Sequence, residues 1–326
     1  MTTKTVFSGI QPTGGLPHIG NYVGALRNWV AMQEDYDAIY CVVDLHSMTV
    51  PYDPPALHRT RIDTAKTLLA VGVDPSRSLL YYQSQVPQHV ELAWILSNIT
   101  GLGQLERMTQ FKEKADRAGQ NLGLLAYPVL MAADIMVHKA HAVPVGDDQT
   151  QHLELTRDIA ERFNSRFGEE FPLPERITPE IGARVMSLTD PTAKMSGSDP
   201  SPRSRILLNE SPDSILKKVK SAVTDTGTTV SYDPAEKPGV SNLVELMSIF
   251  TGRTIDEIVT EYGESGYGTF KIAVGEAIAE ALRPIRERFE SIEDGDVSRI
   301  MTDGAAAASD RAEKEMVTVR EKTGLA

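Results

Sequence analysis

The sequence has one cysteine among 326 residues, Cys41, which lies within an apolar run. An intramolecular disulfide is therefore impossible, and a zinc site built on several thiolates is almost excluded. No stretch approaches the roughly 18 consecutive apolar residues that a membrane-spanning helix needs. The first residues also lack the long apolar segment of a signal peptide. These absences predict a cytoplasmic protein without a membrane segment.

An excess of positive charge is also missing. The chain has 33 lysines and arginines against 45 aspartates and glutamates, a formal net charge of −12. This balance argues against a protein that coats nucleic acid with a broad basic face, although local basic patches can still bind it. The hydrophobic content of 41% and charged content of 24% are typical of a globular protein with one large domain or two smaller ones.

The first half of the chain alternates between strand and helix patterns. Residues 38–43, AIYCVV, form a continuous apolar run, typical of a strand that is covered on both faces. Strands are predicted at 5–8, 38–43, 79–83 and 143–146, and helices at 21–32, 56–72, 89–99 and 148–163. This alternation predicts an α/β fold: a Rossmann-like, doubly wound parallel sheet whose ligands bind beyond the carboxyl ends of the strands. From residue 213 onward the pattern is mostly helical, with turns at 234–239, 263–268 and 294–295, which predicts a smaller all-helical domain.

Two segments have compositions that suit phosphate chemistry. Residues 8–21, SGIQPTGGLPHIGN, join a strand to a helix, where glycines allow close approach and the helix start offers N–H groups to an anion. Composition alone supports a ligand-free turn there equally well. Residues 193–200, AKMSGSDP, place a lysine among small residues, as in a mobile loop that closes over phosphates. Taken alone, an exposed linker is the commoner explanation of that second segment.

Together the two segments resemble the signatures of class I aminoacyl-tRNA synthetases. Pro17-His-Ile-Gly-Asn21 is similar to the His-x-Gly-His element, and Lys194-Met-Ser-Gly-Ser198 to the Lys-Met-Ser-Lys-Ser element. Further segments resemble the bacterial tryptophanyl-tRNA synthetases within this class. They are residues 7–13, 105–114, 127–135, 143–149, 151–164 and 221–226, so the resemblance covers nearly the whole chain in order.

The resemblance implies a reaction, partners and a domain plan. L-Tryptophan is activated with ATP to tryptophanyl-adenylate and pyrophosphate, and is then transferred to the 3′ end of tRNA(Trp). Mg²⁺ accompanies ATP on phosphate oxygens and water, no structural metal is expected, and the enzyme is a homodimer. Residues 1–198 form the catalytic domain, 199–300 a helical anticodon-binding domain, and 301–326 a C-terminal helix that packs back. The alternatives are a tyrosyl-tRNA synthetase of the same subclass and a tryptophan- or nucleotide-binding paralogue that does not charge tRNA.

The resemblance also implies site residues. Those implied to act in catalysis are Lys194, Ser196, Ser198, His18 and Gln11. Those implied to bind ATP are Gln11, Pro12, Thr13, Gly20, Asn21, Gly146, Asp147, Asp148, Val185, Lys194, Met195, Ser196, Gly197 and Ser198. Those implied to bind tryptophan are Asp134, Phe7, Gly9, His46, Tyr127, Met131, Val143, Val145 and Gln149. The Asp134 carboxylate would accept the indole N–H, so that phenylalanine, which lacks this donor, would leave a buried acceptor unpaired.

The sequence departs from the family signatures at two positions. Asn21 stands where the second histidine of the first element is usual, a replacement common in this subfamily. Gly197 stands where the second signature lysine usually helps to stabilise the departing pyrophosphate, so one charge-assisted contact is missing. We expect activation to proceed through Lys194, loop backbone N–H groups and Mg²⁺, or with Lys112 or Arg203 replacing the missing cation.

Overall fold

A parallel sheet forms the centre of the N-terminal half of the chain. The computed structural model describes residues 3–13, 15–111, 121–146, 149–177, 184–197 and 199–326. The strands of its sheet are β1 (Thr5–Ile10), β2 (Asp37–Val42), β3 (Ser78–Tyr82), β4 (Ala142–Pro144) and β5 (Glu175–Ile177). They are all parallel and lie in the order β3-β2-β1-β4-β5. This is the doubly wound order, so the predicted fold class is confirmed.

Helices flank the sheet, and after β5 the described elements are all helical. The first helical segment consists of α1 (Ile19–Asn21), a π-helical turn at Tyr22–Leu26 and α2 (Arg27–Met32). The other helices are α3 (Pro54–Val71), α4 (Gln88–Ser97), α5 (Leu102–Glu106), α6 (Leu122–Met136), α7 (Thr150–Phe167), α8 (Pro212–Lys220), α9 (Pro238–Thr251), α10 (Ile255–Tyr262), α11 (Gly266–Ser291) and α12 (Asp294–Thr323). Among the helices in the described ranges, none has both the length and the apolarity needed to cross a membrane.

The strand β2 explains why residues 38–43 are continuously apolar. Ala38, Tyr40 and Val42 belong to one buried cluster, which includes residues of the first helix and of α3. Ile39 and Cys41 belong to a second cluster with residues of α4, α6 and α7. Alternate side chains of a strand point to opposite faces, so both faces of the sheet are covered, as predicted.

The strand order creates a crevice at the carboxyl ends of the central strands β1 and β4. β1 pairs with β2 on one side and with β4 on the other, so the connections leave in opposite directions at this point. Ligands of doubly wound sheets bind beyond the carboxyl ends of the strands at such a switch point. The fold therefore places Gly9, Gln11, Val145 and Gly146, which lie at or just beyond the ends of β1 and β4, around one space.

The long helix α12 returns to the sheet. It packs against β3, α3 and α4. The Arg311 guanidinium donates to Asp37 Oδ2 at 2.7 Å and to Thr5 Oγ1 at 2.9 Å, at the first residues of β2 and β1. A Cβ on Gly304 would lie 2.0 Å from the Leu80 carbonyl oxygen, so the helix backbone rests directly on β3.

We predict that Gly304→Ala lowers the free energy of unfolding by about 1–3 kcal/mol, because the clashing atom is strand backbone and the helix must shift. The matched control is Gly295→Ala in the same helix, where no described atom lies within 4 Å of an added Cβ. This change should be neutral or stabilise by up to about 1 kcal/mol through helix propensity. Urea denaturation checks both variants, and equal effects would contradict the close approach.

Candidate active site

The first signature segment orients its own histidine. His18 precedes α1, and its Nδ1 accepts a hydrogen bond from the Gly20 N–H at 3.1 Å. The His18 N–H donates to Asn21 Oδ1 at 3.0 Å, which completes a reciprocal capping box. A Cβ on Gly20 would lie 3.0 Å from the ring, so glycine is what lets this ring fold back on the helix start. The Asn21 oxygen therefore serves the cap.

Backbone pairing brings the second signature segment to the first. The Ile19 N–H donates to the Ile206 carbonyl at 2.9 Å, and the Leu208 N–H donates to the Pro17 carbonyl at 3.1 Å. The chain just after the second segment thus lies antiparallel to the first segment, with His18 opposite Leu207. Two distant parts of the sequence meet at one end of the sheet.

A short hairpin carries the second segment itself. The Met195 N–H donates to the Val185 carbonyl at 3.0 Å, and Met186 lies opposite Lys194. Met195 is buried near Gly20, whereas Lys194 is exposed. The Asn242 side chain of α9 both accepts from the Met186 N–H and donates to its carbonyl, so the helical region holds the base of this hairpin.

The environment of His18 keeps its imidazole neutral. Burial, and then the positive charges of Arg205 and Lys194, lower its pKa from 6.5 to about 4. Because Nδ1 accepts from Gly20, the ring proton resides on Nε2. His18 is therefore an uncharged hydrogen-bond donor at neutral pH, held beside an exposed cation, Lys194.

A cavity of about 340 Å³ opens at the switch point of the sheet. It is bordered by β1, by the segment after β2, by α6 and by β4. All nine residues predicted for tryptophan line it: Phe7, Gly9, His46, Tyr127, Met131, Asp134, Val143, Val145 and Gln149. Gln11 and Gly146, predicted for ATP, line it as well, so the two predicted sites adjoin.

Among the described residues that line the cavity there is one carboxylate, Asp134, which is only 1% exposed. His46 Nε2 lies 3.0 Å from its Oδ2, and Gln83 Nε2 donates to its Oδ1 at 2.7 Å. His89 Nδ1 lies 2.8 Å from the same Oδ1, an ion-pair distance, although the ring N–H is not aligned with this oxygen as in a regular hydrogen bond. Burial raises the pKa of Asp134, but the hydrogen bonds from His46 and His89 outweigh it and hold the pKa at about 2. The carboxylate is therefore ionised.

Several functional contacts escape sequence reasoning. Gln83 and His89 support Asp134, and Gln110, Ala25 and Trp29 line the cavity. The one available signal is the position of Gln83 directly after β3, at a carboxyl end of the sheet. Gln110 lies in the segment 105–114 that carries the family resemblance, but nothing in its spacing marks a site residue.

The other predicted ATP residues divide into three groups. Pro12 and Thr13 follow β1, and Ser196 and Gly197 follow Met195 on the hairpin. The Val185 side chain is buried in the core and its carbonyl accepts from the Met195 N–H, so a ligand contact at this position would be made by the backbone. The remaining predicted ATP positions, Asp147, Asp148 and Ser198, lie outside the described residues, as does Lys112, which was considered as a replacement for the missing signature lysine.

Comparison with known proteins identifies the class. Residues 2–283 match the family described as tRNA synthetases class I (W and Y). The chain is 49% identical to the tryptophan–tRNA ligase of Caldanaerobacter subterraneus subsp. tengcongensis, over 99% of this chain and 98% of that one. It is 46% identical to the tryptophan–tRNA ligase of Bacillus anthracis, over 99% of this chain and 98% of that one. The chain belongs to the class I synthetases for tryptophan and tyrosine.

Solved structures narrow the assignment within the class. The tryptophanyl-tRNA synthetase of Mycoplasma pneumoniae superposes with a TM-score of 0.87 at 33% identity, over 100% of this chain and 99% of that one. The tryptophanyl-tRNA synthetase of Campylobacter jejuni, complexed with ADP and tryptophan, superposes with a TM-score of 0.87 at 35% identity, over 98% of this chain and 100% of that one. A tyrosyl-tRNA synthetase from Aeropyrum pernix, at 20% identity, shares the fold alone. The chain is thus a member of the tryptophan–tRNA ligases, which confirms the predicted enzyme class and activity over the tyrosyl alternative.

We predict that the His18 ring stays neutral from pH 8 to pH 5 and titrates with a midpoint of about 4. NMR of the imidazole protons, assigned with His18→Gln, measures this midpoint. Arg205→Gln removes a nearby positive charge, so it should raise the midpoint while leaving it below 6.5, because burial is the larger cause. A wild-type midpoint near 6.5 would show that the ring is solvated and the proposed environment wrong.

Proposed function

We propose that the protein charges tRNA(Trp) through the cavity at the switch point and the two signature segments. In the first step a tryptophan carboxylate oxygen attacks the α-phosphorus of ATP, and the bond from that phosphorus to the pyrophosphate oxygen breaks. In the second step the terminal ribose of tRNA takes the tryptophanyl group and AMP leaves. The observation that carries this proposal is the buried, ionised Asp134 in a largely apolar cavity, which is also lined by Gln11 of the signature segment that holds the neutral His18.

Asp134 would recognise the indole N–H. Its Oδ1 already accepts from Gln83 and His89, whereas Oδ2 is approached by His46 alone among the contacts described above. A carboxylate oxygen has two acceptor positions, so Oδ2 retains one for the substrate. An amino acid without a ring donor would leave this charge short of a partner, which is costly in a buried site.

The apolar walls would form the indole slot. Phe7, Met131, Val143 and Val145 line the cavity together with Asp134. Gly9 keeps the wall thin, since a Cβ there would lie 2.8 Å from Val43 Cγ1. The slot would therefore select a flat ring by shape, and Asp134 would select the ring that carries an N–H.

Polar groups in the cavity would hold the α-amino and carboxylate groups. Tyr127 Oη lies 2.8 Å from His152 Nε2 and donates to Gln110 Oε1 at 3.2 Å, so the phenol is held in place. Gln11 and Gln149 line the same cavity. Alignment of the attacking carboxylate is the main contribution that a protein makes to this type of reaction.

The signature segments would bind ATP. His18 would donate from Nε2 to a phosphate oxygen without adding charge, and Lys194 would offset the charge that develops on pyrophosphate. Gly20 and the residues after β1 would let the nucleotide approach the backbone. In the described ranges no group of three or more His, Cys, Asp or Glu side chains is placed to hold a metal ion. Mg²⁺ bound to the ATP phosphates needs no such group, and would neutralise phosphate charge there.

The helical region would bind tRNA, in keeping with the predicted domains 1–198, 199–300 and 301–326. Support comes from the run of helices α8 to α11 after the hairpin and from the return of α12 to β3. Asn242 joins this region to the hairpin of Lys194 by hydrogen bonds. A shift of the helices on binding tRNA would therefore move the hairpin that is proposed to bind ATP. Because charging of tRNA serves translation, we place the protein in the cytoplasm.

A second copy of the chain would cover an exposed apolar surface on α4 and α6. Trp94 is 74% exposed and Val90 51%, next to Met48 at 52%, and Leu122 on α6 is 78% exposed. Trp94, Val90 and Met48 line a shallow apolar groove that also includes Tyr127. Apolar surface of this kind marks an interaction site, and a homodimer buries the same patch twice. Tyr127 also lines the tryptophan cavity, so the interface would support the site.

The activity is tested by aminoacylation of total tRNA with labelled tryptophan, together with tryptophan-dependent pyrophosphate exchange. We expect the wild-type protein to charge tRNA, and Asp134→Asn to lower kcat/KM for tryptophan by about ten- to a hundredfold, because a charged acceptor is lost. The KM for ATP should change little. Asp303→Asn on the exposed face of α12 is the control and should behave as wild type. Binding of tryptophan without any charging of tRNA would favour the non-charging paralogue.

The dimer is tested by sedimentation velocity. We expect wild-type protein to sediment with twice the mass of one chain and Trp94→Glu to sediment as a monomer, because burying a carboxylate in an apolar interface is unfavourable. Val317→Glu adds the same charge at a 47% exposed valine of α12 and should leave the dimer intact. A monomeric wild type would refute this part of the proposal.

A further inference from the structure

A buried chain of three polar side chains lies behind Asp134. His89 of α4 is fully buried, with Nδ1 2.8 Å from Asp134 Oδ1 and Nε2 2.9 Å from the Tyr81 hydroxyl of β3. The same hydroxyl lies 2.8 Å from Nε2 of His138, which follows α6. We call His89, Tyr81 and His138 the histidine–tyrosine chain. None of these three side chains is among the described residues that line the tryptophan cavity.

The positions of the hydrogens in the histidine–tyrosine chain follow from counting donors and acceptors. Asp134 is ionised and can only accept, so the proton between it and His89 belongs to Nδ1. The Tyr81 hydroxyl has one hydrogen and lies between two ring nitrogens, with the Cys41 thiol as a third neighbour. A thiol is only a weak donor and acceptor, so the hydroxyl donates to one ring nitrogen and accepts from the other. Nδ1 of His138 has no partner within the described part of the chain, and an orphaned N–H there would be costly. His138 therefore donates from Nε2 to Tyr81, and Tyr81 donates to His89.

This single direction of donation has a consequence for the carboxylate. With Nε2 of His89 occupied as an acceptor, the ring proton must be on Nδ1, where it faces Asp134. Gln83 and His89 then both direct N–H groups toward Oδ1, and Oδ2, approached by His46, has the larger remaining capacity for a further donor. The orientation of Oδ2 relative to the cavity is set by residues outside the cavity.

We propose that His89 is a specificity-determining positioning residue for tryptophan, which orients Asp134 through its Nδ1–H and is itself held by Tyr81 and His138. This inference rests on the proposed role of Asp134 as acceptor of the indole N–H. A residue that only filled space in the core would affect stability and would leave the preference for tryptophan unchanged. The two roles therefore predict different kinetics for variants that keep or remove one ring nitrogen.

The test uses two amides that each replace one nitrogen of the ring. In His89→Asn the amide nitrogen lies near the position of Nδ1 and still donates to Asp134. In His89→Gln it lies nearer Nε2, so the donor to Asp134 is lost. In tryptophan-dependent pyrophosphate exchange we expect His89→Asn to stay within about threefold of wild type in kcat/KM for tryptophan. His89→Gln should lose about tenfold or more, chiefly through KM, with the KM for ATP unchanged in both.

Two further variants separate positioning from packing. Tyr81→Phe keeps the ring and removes the hydroxyl, so it should raise the KM for tryptophan by an amount between those of the two amides. Leu92→Ala shortens another fully buried side chain of α4 and should lower the unfolding temperature without raising the KM for tryptophan. Equal kinetics for His89→Asn and His89→Gln, or a rise in KM for Leu92→Ala as large as that for His89→Gln, would overturn the proposal.

The wild-type protein and Asp134→Asn show whether the proposed function of Asp134 or only the positioning role of His89 has failed. If wild-type protein does not exchange pyrophosphate with tryptophan, or Asp134→Asn retains full kcat/KM, the proposed function of Asp134 fails. If wild type is active and Asp134→Asn is impaired while His89→Gln matches wild type, only the positioning role of His89 fails.

Discussion

An ionised carboxylate that is almost wholly buried imposes the strictest condition on this structure. Burial alone would favour the neutral acid, and the charge persists because His46, Gln83 and His89 direct donors at Asp134. These donors come from segments after β2 and β3 and from α4, whereas Asp134 itself is on α6. Removing one partner of a buried charge is far costlier than losing a surface contact. The packing of helices on this face of the sheet and the chemistry of the cavity therefore depend on each other.

The part of the site proposed to bind ATP is built differently. There the main chain does most of the positioning, through the cap around His18, the pairing of residues 17–19 with 206–208, and the hairpin that carries Lys194. Backbone bonds tolerate side-chain variation. This offers a physical reason why Asn21 can replace a histidine, since its oxygen completes the cap, and why Gly197 is compatible with the hairpin. The part proposed to bind tryptophan depends on particular side chains and permits less change.

Periodicity predicted most of the fold, because strands covered on both faces and helices with one buried face leave distinct patterns. The strand β5, with the short sequence Glu-Arg-Ile at the sheet edge, carries no such pattern and was missed. The nine residues that the family resemblance assigned to tryptophan all line the cavity, together with others, such as Gln110 and Trp29, that it did not indicate. The resemblance did not indicate His89, Tyr81 or His138, because His89 and Asp134 are 45 positions apart and meet only where α4 crosses α6. Long-range polar contacts of this kind require the three-dimensional packing.

The central claim is that the Asp134 carboxylate, a charged acceptor in an apolar cavity, recognises tryptophan by accepting a hydrogen bond from the indole N–H. Isothermal titration calorimetry of the wild-type protein with L-tryptophan and with 3-(benzothienyl)alanine, which replaces the ring N–H by sulfur at nearly the same shape, addresses this claim directly. We expect the sulfur analogue to bind about ten- to a hundredfold more weakly, because the acceptor on Asp134 is left without its donor. Equal affinities for the two ligands would contradict the account.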